Sequence, residues 1–188
     1  VAAGIRRSQS MLVVSHLTGH IGTGMGAAIK NLGMGCTGRT GKRRQHSAMA
    51  PRIKAKKCTA CGECVACCPV EAIRMDNAAA VIDADTCIGC GQCLAICRFG
   101  AVSFDWGIEG PELQRRMAEY ALGAVDGKAG TLACVTFLLL ITDGCDCMGR
   151  TMDPAVGDIG IIAAADPVAV DAAAMHLVAE RSGTTMAA

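Results

Sequence analysis

The sequence predicts an α/β scaffold, α+β overall, interrupted by a small internally duplicated insert. Two observations lead there. Apolar strand-like runs alternate with helical patterns toward both ends of the chain, and between them eight cysteines fall in two arrays of identical spacing. The expected boundaries are 1–52 and 105–188 for the two parts of the scaffold and 53–104 for the insert. The 188 residues are 52% hydrophobic and 19% charged, which excludes an intrinsically disordered chain. The length also allows a core without disulfide staples.

The elements follow in order. Met11 to Ser15 reads as a strand and Gly26 to Asn31 as a short helix. After the insert, Pro111 to Val125 carries Leu113, Met117, Tyr120, Ala121 and Ala124 at helical spacing, with Pro111 suited to a first turn. Leu132 to Ile141 reads as a buried strand bounded by Gly130 and by Asp143-Gly144, and Asp158 to Ala165 as a second. Asp166-Pro167 announces an N-cap and first helical residue, opening an Ala-rich helix from Val168 to about Glu180 that ends near Gly183. Cys134 falls in the apolar strand and reads as core. His16, His20 and His176 read as structural, although the i, i+4 spacing of His16 and His20 would put them on one face of a helix.

Charge is polarised along the chain. Residues 1–57 hold 11 Lys and Arg and no acid, whereas 58–188 hold all 17 acids and 7 bases. The basic density peaks over 39–57, where a small anionic substrate could bind. No aromatic residue interleaves this run, which speaks against nucleic acid. Gly22-x-Gly24-x-Gly26 and Gly35 to Lys42 approach nucleotide-binding loops but match neither the dinucleotide nor the phosphate-loop pattern. The longest apolar run is well short of the roughly 20 residues a bilayer requires, and Met11 to Val14 is too short for a secretory h-region. The expectation is a cytoplasmic protein, and in a reducing compartment clustered cysteines bind metal.

The first array is Cys58-x-x-Cys61-x-x-Cys64-x-x-x-Cys68-Pro69 and the second Cys87-x-x-Cys90-x-x-Cys93-x-x-x-Cys97. Each ligand of the second lies 29 residues after its counterpart, and the register continues through Ala72 to Ala101 and Ile73 to Val102, an internal duplication. Three thiolates on a tight loop converge on one cluster, while the fourth starts away and ligates the other. Cys58, Cys61, Cys64 and Cys97 are thus expected to hold cluster one, and Cys87, Cys90, Cys93 and Cys68 cluster two. Gly62, Gly89 and Gly91 suit the loops. Over about 53–104 the sequence resembles the bacterial two-cluster 4Fe–4S ferredoxins, which implies two such clusters in an inserted, βαβ-duplicated ferredoxin-like domain. Zinc is the alternative occupant, but four cysteines in this tandem spacing are the iron–sulfur pattern. Arg98 stands where the resemblance implies a second proline, adding a charge expected near cluster two. Cys67, between ligands, reads as a small buried apolar residue.

Cysteines outside the arrays add a second theme. Cys145-Asp146-Cys147 follows a buried strand, Cys36 sits in a glycine-rich loop, and His46 follows in the basic segment. These four side chains suit a third iron–sulfur cluster or a metal ion, if the fold brings them together. Residues 26–36, Gln45-His46-Ser47, the two arrays, Cys145 to Gly149, Asp158 to Ile161 and Asp166 to Asp171 form a combination. Over about 14–183 it resembles the iron–sulfur centre proteins grouped as domain of unknown function 362. The resemblance implies that Cys36, His46, Cys145 and Cys147 belong to family motifs, and that the chain, which begins at Val1, lacks an N-terminal portion.

The functional expectation is a redox protein that relays single electrons through two low-potential clusters to a redox partner protein. The alternatives are an oxidoreductase whose third centre is fed by the insert, and a non-catalytic iron–sulfur accessory or scaffold protein.

Overall fold

The computed structural model describes residues 1–46, 50–103, 110–146 and 149–183. The chain divides into two compact units, Val1–Thr37 with Glu109–Ala188, and Gly38–Ile108. In chain order the first unit opens with α1 (Ala3–Arg7), β1 (Met11–His16), β2 (Thr18–His20), β3 (Gly24–Gly26) and α2 (Ala28–Lys30), continued by a π-turn over Asn31–Gly35. The second unit contains α3 (Arg39–His46), β4 (Arg52–Ile53), a 3-10 turn at Ala55–Lys57, α4 (Glu63–Ala66), β5 (Ile73–Asp76), β6 (Ala79–Ile82), α5 (Gln92–Ile96) and β7 (Val102–Ser103). The first unit resumes with α6 (Gly110–Val125), β8 (Leu132–Leu138), β9 (Gly160–Ala164) and α7 (Pro167–Ser182). The molecule is mixed α and β, α+β in character.

The first unit is built on a three-stranded sheet of order β1-β8-β9. β1 runs parallel to β8, with Met11 opposite Leu132 and His16 opposite Phe137. β9 runs antiparallel to β8, with Cys134 opposite Ala164 and Leu138 opposite Gly160. The apolar run from Leu132 has no alternation of polarity, yet its burial alternates: Cys134, Thr136 and Leu138 are buried. Cys134 packs with Val13, Ala28, Leu32, Ala121, Ala124 and Val170, and Leu138 with Leu17, Ala27, Ile141, Ala174 and Val178. Cys134 is thus a core residue. On the neighbouring strands Leu12, Val14 and Ile161 remain exposed, so only one face of the sheet is covered by helix. The strand stops at Leu138 rather than Ile141, because Leu140 has a positive φ of 50°.

The short helix expected over 26–31 is α2, Ala28–Lys30, set between the end of β3 and the π-turn. Small residues permit this: a Cβ on Gly33 would collide with the Met117 backbone of α6. Two aspartates of the Asp166-to-Asp171 segment organise the return of the chain. Asp166 caps α7, its side chain accepting from the Val168 N–H at 2.8 Å, with Pro167 beside it. Asp171, 8% exposed, accepts from the Ala28 and Ile29 N–H groups at 2.9 and 2.8 Å and so caps α2 from another helix. His16 ends β1 and His20 ends β2, so the two share no helix face.

The second unit repeats itself. β4-α4-β5 and β6-α5-β7 are equivalent under the 29-residue shift, and each strand pairs with a strand of the other repeat, β4 with β7 and β5 with β6, both antiparallel. This compact unit begins at Gly38 and so includes α3, whose Arg43 and Arg44 donate to backbone carbonyls of the second cysteine loop, at Gly89 and Ile88. Among the described residues no helix is long and apolar enough to cross a membrane.

Candidate metal centres

Two cavities of the second unit are walled by the arrays. One, about 360 Å³ with its open mouth included, is lined by Cys58, Cys61, Cys64 and Cys97 together with Glu63, Phe99 and Val102. The other, about 320 Å³, is lined by Cys87, Cys90, Cys93 and Cys68 together with Ile73, Ile82 and Gln92. Each cavity therefore draws three cysteines from one array and the fourth from the other. The crossing follows from strand pairing: β7, just after Cys97, is tied to β4, just before Cys58.

The repeat extends to hydrogen bonds on sulfur. The Ala72 N–H donates to Cys68 Sγ and the Ala101 N–H to Cys97 Sγ, both at 3.3 Å. The Ala80 N–H reaches Cys58 Sγ at 3.5 Å. Burial pushes the Cys97 thiol up, but N–H groups of Val102, Ala101, Phe99 and Gly100 outweigh it and hold the group below its ordinary value. Cys93, buried more deeply, is pushed up to about 11, chiefly by desolvation. Burial likewise raises Cys64. Cys67 is half-buried, points its Sγ toward the Cys64 carbonyl at 3.5 Å and lines neither cavity.

Arg98 is exposed and follows Cys97, a thiol that lines the first cavity. A cation that faces the second array is Arg43. Burial lowers its pKa while the nearby Cys87, Cys90 and Cys93 sulfurs act to raise it. Sequence reading treated residues 39–57 as one basic run and missed this selective contact.

Of the remaining four candidates, Cys36 and Cys145 belong to the first unit and His46 to the second. Cys36 is half-buried against the Val13 and Leu32 cluster, its thiol raised by burial and lowered in part by Lys128. Cys145 is buried and disulfide-bonded, and Lys30 Nζ donates to its Sγ at 2.8 Å. His46 ends α3 in the second unit, and Cys147 lies outside the described residues. Among the described residues, no three His, Cys, Asp or Glu side chains are grouped to hold a single metal ion.

Beside Cys145, the His16 ring bridges Leu139 O from Nε2 at 2.7 Å and Asp146 Oδ2 from Nδ1 at 2.9 Å. Desolvation lowers its pKa, but these two bonds and the Asp146 charge outweigh it and raise the group above 6.5. The contribution to stability is therefore complete below the unfolded value near 6.5 and is lost as pH rises through the folded value. Both partners are partly exposed, so solvent screening keeps the effect small. The expected result is an NMR titration of His16 with a midpoint above 6.5, and a flatter pH dependence of the urea midpoint in His16→Gln.

A family model described as Domain of unknown function (DUF362) matches residues 1–176. No curated protein matches the chain.

Proposed function

This chain belongs to the DUF362 family, and we propose that within it the unit Gly38–Ile108 is a ferredoxin-like relay that holds two 4Fe–4S clusters and passes single electrons to and from a redox partner protein. A 4Fe–4S cluster supplies a one-electron couple. The observation that carries the reading is the crossing of the arrays: Cys97 joins Cys58, Cys61 and Cys64, and Cys68 joins Cys87, Cys90 and Cys93. Four thiolates could also hold zinc, but exchange of the fourth cysteine between two tandem arrays of this spacing is the two-cluster arrangement.

The donor set suits the group. Thiolates are the ligands iron–sulfur clusters require, and backbone N–H groups of Ala72, Ala101 and Ala80 already point at sulfur. Such bonds orient the ligands and favour their anionic form. Ile73, Ala80, Cys93 and Val102 form the apolar centre between the arrays, which restricts water around both sites. The first unit, with its separate core, would then provide the surface or chemistry that the electrons serve.

The direct test is iron and acid-labile sulfide per chain after anaerobic purification, with electron paramagnetic resonance of the reduced protein. About eight irons, four per cluster, and two reduced centres are expected. Iron well below about four per chain, with no reduced signal and with stoichiometric zinc instead, overturns the reading.

A further inference from the structure

We propose that Arg43 holds the reduction potential of the centre bound by Cys68, Cys87, Cys90 and Cys93 above that of its twin, so that this centre is reduced first. The proposal rests on the two-cluster reading and concerns how the two sites are made unequal.

The two cysteine loops share one backbone course. Ala60 and Gly89, equivalent under the repeat, have φ of 56° and 66°, and Gly62 and Gly91 both have 77°. An alanine thus already occupies the conformation that Gly89 adopts, and dihedral strain does not by itself account for glycine at 89. What sets position 89 apart is its neighbour: a Cβ there would overlap the flexible end of Arg43, its guanidinium, and displace it. Arg43 Nε donates to the Gly89 carbonyl and Arg44 Nη2 to the Ile88 carbonyl at 3.4 Å. Gly89 is buried, whereas Ala60 and Thr59 of the first loop are exposed.

A second asymmetry has the same sign. Glu63 lines the first cavity from an exposed position, where water screens it, and its repeat equivalent lining the second is the neutral Gln92. The other cations near the first array, Lys54, Lys56, Lys57 and Arg98, are exposed and line neither cavity, so water and salt screen them more than the partly buried Arg43. Reduction adds one negative charge to a centre. A fixed cation beside it stabilises the reduced form, and a carboxylate beside the other does the opposite.

The experiment is a potentiometric titration of the iron-loaded full chain with dithionite as one-electron reductant, followed by electron paramagnetic resonance. Cys61→Ser, which disturbs the first site, identifies the lower midpoint. In Arg43→Gln the reduced-to-oxidised ratio of the other centre, at fixed potential, should fall about tenfold, equivalent to 59 mV for one electron, with the lower midpoint unmoved. Arg43→Lys should retain part of the effect. Gly89→Ala displaces the guanidinium without altering net charge and should lower the same midpoint.

If Arg43→Gln fails to load iron, the Lys and Gly89→Ala variants decide. Iron-loaded variants whose higher midpoint stays put, or in which only the lower one moves, overturn the role of Arg43 and leave the two-cluster reading standing. An iron-free wild-type protein overturns both.

Discussion

Cys97→Ser should disturb the same cluster as Cys61→Ser, although the two residues belong to different arrays. The expectation follows from the first cavity, which Cys97 shares with Cys58, Cys61 and Cys64. Either substitution should lose or convert one cluster, taking iron from about eight toward about four per chain for outright loss. The second reduced signal should remain. Cys68→Ser should group instead with Cys90→Ser, and its spectrum should be the complement. The measurement is iron content with the reduced paramagnetic spectrum of each variant. Were each array to serve one site, Cys97→Ser would resemble Cys90→Ser, and the crossed assignment would be wrong.

Asp171→Ala should destabilise the first unit by about 3 kcal/mol. The side chain is the acceptor for two backbone N–H groups at the start of α2, Ala28 and Ile29, and Ala28 itself is fully buried. Removal leaves those donors without an acceptor, and a buried unsatisfied group costs about 1–3 kcal/mol. That is a large part of the stability of an ordinary domain, about 5–15 kcal/mol. Asp171→Asn keeps one acceptor oxygen and should fall between. Burial pushes the Asp171 carboxyl above its ordinary value, against the two N–H donors. Its linkage term therefore favours the fold below the ordinary value of 3.8 and is lost as pH rises through the folded pKa. Urea unfolding followed by circular dichroism checks the loss; an unchanged midpoint in Asp171→Ala would remove the capping role.

Much of the fold was legible because local chemistry decided it. Asp166-Pro167 suits a helix start because the carboxylate satisfies a free N–H and proline needs none, and α7 begins there. The amphipathic spacing from Leu113 to Ala124 marks the buried face of α6, where Leu113, Met117, Ala121 and Ala124 are indeed buried. The short helix expected over 26–31 is present as α2, and the π-turn after it was not legible because packing of Gly33 against Met117 settled it. The apolar run after Leu132 could not announce its inward face, because both faces are equally apolar in sequence.

The candidate site divides in the same way. Eight cysteines at a 29-residue repeat are a one-dimensional signal, and their spacing alone reports the number of thiols and the loops that carry them. One clue to the cation was also present: the repeat holds alanine at 60 and glycine at 89, a mismatch that reads as a demand for space only once Arg43 is seen there.

Composition, the duplication and the helix caps were therefore determined by the sequence itself, since each depends on neighbours a few residues away or on a strict repeat. The joining of α3 to the second cysteine loop, the capping of α2 by Asp171 some 140 residues on, and the placing of Lys30 against Cys145 were decided only by tertiary structure. Those contacts join distant positions whose side chains have no mark of partnership until the sheet and the crossed strands bring them within hydrogen-bonding reach.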